Sequence, residues 1–122
     1  MKYVIFNRRN EMLRVPVTKA MFYEAYGNYC YGVFPNKQKI MLPIGLSQVE
    51  TLIAQYREEG DAQFVRIGKR FIVNMDSVIK VDVTQMQLVL SDLEHAGNFS
   101  LPMSKEALKQ IRDLYTTEQI WK

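Results

Sequence analysis

Residues 64–81, FVRIGKRFIVNMDSVIKV, constrain the fold more than any other stretch. Phe64 and Arg66 alternate with Val65 and Ile67, and a second apolar run, Phe71, Ile72 and Val73, follows Gly68. That is the pattern of two short half-buried strands. Their joint holds three cations, Arg66, Lys69 and Arg70, around the flexible Gly68. A plain hairpin favours Asn-Gly or Asp-Gly there, so the charges at the bend need a reason.

The same punctuation runs through the chain. KYVIF and EMLRVPV read as short strands, with Pro16 at an edge or at a strand end. AMFYEAYGNYCYGVFP reads as strand, turn, strand about Gly27-Asn28, and QKIMLPI as a further strand closed by Gly45. The period then changes. In LSQVETLIAQYREEG, Val49, Leu52, Ile53 and Tyr56 fall on one helical face, with Ser47 as cap, Glu50 as its capping-box partner and Gly60 as the stop. Strand-like runs return at 62–67, 70–73, 77–83 and 86–91, then a turn at HAGN and a strand in FSLPM. SKEALKQIRDLY closes the pattern as a helix capped by Ser104, with Leu108, Ile111 and Tyr115 as its buried stripe. Residues 116–122 read as a tail from which Ile120 and Trp121 dock back on the body. The sum is about nine or ten strands and two helices, a mostly β chain without the strand–helix alternation of a parallel sheet.

Composition narrows the classes. At 122 residues the chain has the size of one domain, and 48% hydrophobic residues suffice for a core. No apolar run approaches the roughly 18 residues of a membrane span. The N-terminal MKYVIFNRRN places its arginines after a short apolar stretch, the wrong order for a secretory signal. A cytoplasmic location is the expectation, and a lone Cys30 fits a reducing compartment. The net charge of +3 leans only weakly toward anionic partners, so the placement of the cations matters more than their number.

Groups for catalysis are scarce. The one histidine, His95, reads as a solvated loop residue, and Cys30 as a small buried hydrophobe without an activating base. One Cys and one His cannot alone build a zinc site, and there is no glycine-rich phosphate loop. The acids of REE and SDLE read as solvated. The expectation is a non-enzymatic protein with no cofactor, no metal and no catalytic residue.

The residues at the joint also carry a resemblance. Phe64, Arg66, Ile67, Lys69, Phe71, Ile72, Val73 and Asn74 resemble the central signature of the LytTR family, the DNA-binding domain of LytR/AlgR-type bacterial transcription regulators. Tyr23, Glu24, Ala25, Gly27, Asn28 and Tyr29 are similar to the family's earlier segment. LPIGLSQVETLI resembles the strand and helix between the two motifs, and Leu101, Pro102, Met103, Ser104 and Lys105 the closing one. The four pieces stand in the family's order over residues 11–115, behind an N-terminal strand or extension at 1–10.

The resemblance implies an elongated stack of short antiparallel sheets with one central and one C-terminal helix. It implies binding of duplex DNA by loops that enter successive major grooves, often as pairs on direct repeats and thus as a homodimer on DNA. Lys69 is then the foremost contact, with Arg70, Arg66, Lys105, Asn28, Tyr29, Cys30 and Ser104 as the other DNA-binding candidates. Arg66 is in part structural, and Arg70 alternates to the face opposite Lys69. Ser104 caps its helix at an end that also suits a phosphate.

Several features depart from the family pattern. Gly68 stands for its common His, Arg70 for Ser, and Lys105 for an arginine, with Glu106 beside it. Lysine lacks the bidentate fork that reads guanine. The family's usual receiver domain is missing in front, so the chain is either freestanding or a fragment of a longer regulator. A protein regulator in place of that receiver, or a protein-interaction module with little DNA affinity, is the alternative. Bland roles also remain open. The three cations suit gatekeepers at a sheet edge, and Tyr26, Tyr29 and Tyr31 suit packing as well as stacking on bases. Asn74 suits a structural turn, Glu24 a loop-organising role, and Pro102 the approach to the last helix.

Overall fold

The computed structural model describes residues 3–115 and 118–121. Among the described residues the chain forms ten β-strands and two α-helices, and every strand pairing is antiparallel. The mostly β class with a central and a C-terminal helix is therefore the observed one. The chain folds as two compact units: residues up to Ser77 together with Asp92–Ala96, and Val78–Ser91 together with the chain from Gly97 onward.

In the first unit β1 (Val4–Asn7) pairs with β2 (Met12–Val15), and β2 ends directly before Pro16, which has no amide to continue a ladder. A five-stranded sheet follows, with β3 (Phe22–Tyr26), β4 (Tyr29–Val33), β5 (Lys39–Leu42), β6 (Phe64–Ile67) and β7 (Phe71–Asn74) in the order β5-β4-β3-β7-β6. The register sorts its side chains. Tyr23 lies opposite Gly32 and Ile72, Gly32 opposite Ile40, and Ile72 opposite Arg66, so these share one face. Tyr23, Cys30, Leu42 and Ile72 of that face join Leu46, Val49 and Ile53 of α1 (Leu46–Tyr56) in one buried core. The Tyr23 hydroxyl, buried there, donates to the Val17 carbonyl at 2.6 Å, which meets its need for a partner.

The boundaries of α1 differ from the sequence expectation. Gly45, not Ser47, is the N-cap, and its amide donates to Oε1 of Gln48 at 3.1 Å, so Gln48 rather than Glu50 closes the cap. The reason is packing: Leu46 is buried beside Val49 and Ile53, and the helix must include it to fill the core. At the other end Arg57, not Gly60, breaks the helix by turning extended, with ψ 131°. Its guanidinium then holds the Asp61 and Ala62 carbonyls at 2.9 and 3.0 Å. Gly60 lies in the loop beyond, at φ +91°.

In the second unit β8 (Val78–Asp82), β9 (Gln87–Leu90) and β10 (Phe99–Pro102) form a three-stranded sheet with β9 central, and α2 (Lys105–Asp113) packs on β8. Leu88, Leu90, Leu101, Leu108 and Ile111 are buried; each such side chain contributes about 1.5–3 kcal/mol. Tyr115 is half-buried. Ser104 caps α2 as expected, accepting the Ala107 amide at 3.2 Å.

Two further expectations are corrected. Ile120 and Trp121 do not dock: they are 70% and 96% exposed. Residues 116, 117 and 122 of the expected tail lie outside the described residues. The acids of SDLE are not all solvated either. Asp92, with 11% of its side chain exposed, accepts the amides of Asn36, Glu94 and His95 at 2.8–2.9 Å, and Nδ1 of His95 at 2.8 Å. Those hydrogen bonds hold its carboxyl well below the usual carboxylate range.

Candidate nucleic-acid interface

Strand register brings two of the sequence motifs to one end of the five-stranded sheet. Glu24 lies opposite Phe71, and the Ala25 amide donates to the Arg70 carbonyl at 2.9 Å, so β3 runs out beside the turn that precedes β7. The β3–β4 turn, Gly27-Asn28, and the β6–β7 turn, Gly68-Lys69-Arg70, therefore emerge at the same end. Leu42 lies opposite Cys30, so β5 also leaves there, and it feeds the N-terminus of α1. The backbone explains both glycines. Gly27 and Gly68 sit at φ +59° and +57°, which a side chain makes costly.

The cations at the joint have separate circumstances. Lys69 is exposed at the tip and makes no ion pair among the described residues. Arg66 faces α1: its Nε donates to the Gly68 carbonyl at 2.7 Å, and its Nη1 reaches Glu50 at 3.2 Å and Ser47 at 3.4 Å. It is thus a strut that ties the turn to the first turns of α1. Arg70 does not alternate against Lys69 as a strand residue would, because residues 68–70 form a turn. Its Nε donates to Oε2 of Glu24 at 2.9 Å.

Glu24 also accepts the Tyr31 hydroxyl, and the Lys39 ammonium stands 3.9 Å from the centroid of the Tyr31 ring. Burial first, then the neighbouring carboxylate, pushes the Tyr31 phenol up to about 12. Tyr31 is therefore a fixed member of a Lys39–Tyr31–Glu24–Arg70 network rather than a platform for stacking. Tyr26 and Tyr29, at the turn, are 63% and 47% exposed and stand free of the core, as does Asn28. Cys30 needs correction as a DNA contact. Its side chain alternates inward from Tyr29 into the core, is 0% exposed, and burial pushes its thiol up to about 11.

Asn74 has the expected structural role: it donates to the Ala20 carbonyl at 2.9 Å and accepts the Asp76 amide at 2.8 Å. In the second unit Ser104 and Lys105 are exposed at the start of α2, and Lys109 and Arg112 follow Lys105 at helical spacing on its solvent side. Sequence reading missed the partners: Ser47 and Glu50 for Arg66, Tyr31 and Lys39 around Glu24. Period-two alternation places Glu24 and Tyr31 on strands but cannot say that they face one another; that needs the register. Among the described residues no group of three or more His, Cys, Asp or Glu side chains is arranged to hold a metal ion. No helix among them is long and apolar enough to cross a membrane.

The first unit is thus a β-rich scaffold that presents cationic and polar turns at one sheet end. The LytTr DNA-binding domain family matches residues 10–116, and the chain belongs to that family, a class of DNA-binding domains of bacterial transcription regulators. A solved structure with the same fold is described as the LytTr DNA-binding domain of a methyl-accepting/DNA response regulator from Bacillus cereus. It is 21% identical, with a TM-score of 0.62 over 95% of this chain and 98% of that one. No curated protein matches the chain.

Proposed function

We propose that this domain binds duplex DNA sequence-specifically in transcription regulation, through loops that enter successive major grooves. In the first unit Lys69 is the leading contact, flanked by Asn28 and Tyr29 at the adjoining turn, while Arg66 positions the Lys69 turn from behind. In the second unit Lys105 at the start of α2 is the leading contact, with Ser104 holding the helix end. Paired sites in direct repeat, occupied by two copies, belong to the same reading.

The observation that carries it is the emergence of both hairpin turns at one sheet end, with Lys69 exposed and unpaired among the described residues. A rigid turn with an unneutralised cation is suited to meeting phosphates and base edges. A second reading, an interaction module that modulates another regulator, draws on the neutralisation of Arg66 and Arg70 by Glu50 and Glu24, and on exposed Ile120 and Trp121.

Fluorescence anisotropy with random-sequence duplex across a salt series separates them. For the DNA binder, log K falls linearly with log salt, by about 0.9 per phosphate contacted. Lys69→Ala combined with Lys105→Ala weakens binding and flattens that slope by up to about 1.8, while the melting temperature stays within a few degrees. Absence of binding at low salt favours the interaction module. Unchanged affinity in the double variant refutes the assignment of the two lysines.

A further inference from the structure

A cleft of about 350 Å³ opens between α1 and the edge strand β6, lined by Glu50, Ile53, Ala54 and Arg57 of the helix side and Gln63, Phe64, Arg66 and Ile72 of the sheet side. That is the low end of the size range of small-molecule sites. We propose that it binds a small carboxylate with a compact apolar body, and that its occupancy is transmitted to the Lys69 turn. The site stands on the cleft itself; only its effect on DNA rests on the function proposed above.

The lining sets the ligand chemistry. Ile53, Phe64 and Ile72 give an apolar floor, and Ile53 and Ile72 are buried core members. Two guanidiniums and one carboxylate form the polar rim, an excess of one positive charge. Arg57 spends Nε and Nη2 on the Ala62 and Asp61 carbonyls, leaving Nη1 without a carboxylate among the described residues. Glu50, the one acid of the rim, is 54% exposed and reaches only Nη1 of Arg66. A monoanion matches that single surplus, and a carboxylate fits a guanidinium fork better than a point acceptor does. A polyanion would face Glu50 and an apolar floor.

The coupling runs through Arg66. The same guanidinium that lines the cleft donates from Nε to the Gly68 carbonyl at 2.7 Å, one residue before Lys69. A carboxylate held by Arg57 that also accepts from Nη2 of Arg66 leaves the Glu50 pair in place and competes with it, and with Ser47, for the orientation of that guanidinium. The Gly68 peptide, at φ +57°, then feels the change.

Amide NMR spectra of the full chain, titrated with phenylacetate and with 3-methylbutanoate, test the site without DNA. Saturable shifts are expected at Ala54, Gln63, Phe64 and Gly68. Phenylacetamide, which lacks the charge, and acetate, which lacks the apolar body, should each bind at least about tenfold more weakly. Ala54→Trp, at an exposed helix position on the cleft, should abolish the shifts while the remaining spectrum stays native. With phenylacetate saturating, duplex affinity should change by about fivefold, and duplex should change phenylacetate affinity by the same factor. No saturable shifts at those amides with either carboxylate, or equal binding of the amide, overturns the site. Saturation with unchanged duplex affinity overturns the coupling. Saturation in a protein that binds no DNA upholds the site and overturns the function proposed above.

Discussion

Glu24→Gln should strengthen DNA binding by releasing Arg70. In the native protein Nε of Arg70 lies 2.9 Å from Oε2 of Glu24, with the arginine side chain 58% and the glutamate 16% exposed. A pair so open to water contributes at most about 1 kcal/mol to stability. Glutamine keeps an oxygen to accept the Tyr31 hydroxyl but turns an amide toward Arg70, so the fold persists and the guanidinium is freed. Net charge rises from +3 to +4 as one carboxylate is neutralised. If Arg70 then takes one more phosphate, the slope of log K against log salt steepens by about 0.9. Between 50 and 200 mM salt the variant's advantage should shrink by a factor of about 3.5. Anisotropy titrations of both proteins read this directly. A second readout is internal: the Tyr31 phenol, pushed up to about 12 in part by Glu24, should ionise at lower pH in the variant, visible in ultraviolet absorbance. An unchanged slope with a lowered phenol pKa would refute the reasoning, because it would mean that Arg70, once free, meets no phosphate. Weaker binding at unchanged melting temperature would mean that the Glu24–Arg70 pair presents the turn rather than withholding a charge.

Three further outcomes follow from the packing. Gly32→Ala should cost about 1–3 kcal/mol, since a Cβ there would stand 2.7 Å from the Tyr23 ring and 2.9 Å from the Phe34 ring; a melt within a degree of native would refute the close packing. Asp92 contributes stability present above about pH 4, its unfolded pKa, and lost as pH falls toward its depressed folded value. Asp92→Asn should therefore lose amide protection at Glu94 and His95 already at neutral pH, where native protein loses it only in acid; equal exchange in the two would refute that role. The Cys30 thiol, pushed up to about 11 by burial, is ionised to only about one part in a thousand at pH 8. Iodoacetamide should label it in denaturant and not in the native protein, and rapid native labelling blocked by DNA would restore it as a contact.

The strands, both helices and the turn glycines were legible because their signals are local. Alternation, a Gly-Asn pair and a serine before a helical stripe each act within a few residues. The start of α1 was not legible, because burial of Leu46 in a core built from distant strands decided it against a good serine cap. Cys30 was legible as a small buried hydrophobe, and it is 0% exposed; only the DNA contact implied by its motif fails, because its side chain alternates inward from the exposed Tyr29.

The sequence by itself determined a mostly β chain, the family, and the identity of the cations at the Gly68 joint. These rest on residue order and short-range periodicity, which a linear chain displays in full. The tertiary structure alone decided what each cation does: Arg66 braces the turn against Glu50, Arg70 is held by Glu24, and Lys69 stays unpaired among the described residues. Charge partners separated by 16 and 46 residues are set by strand register and by how a helix lies on a sheet. Neither leaves a mark in local sequence, because register is a property of pairs of strands and not of either strand alone.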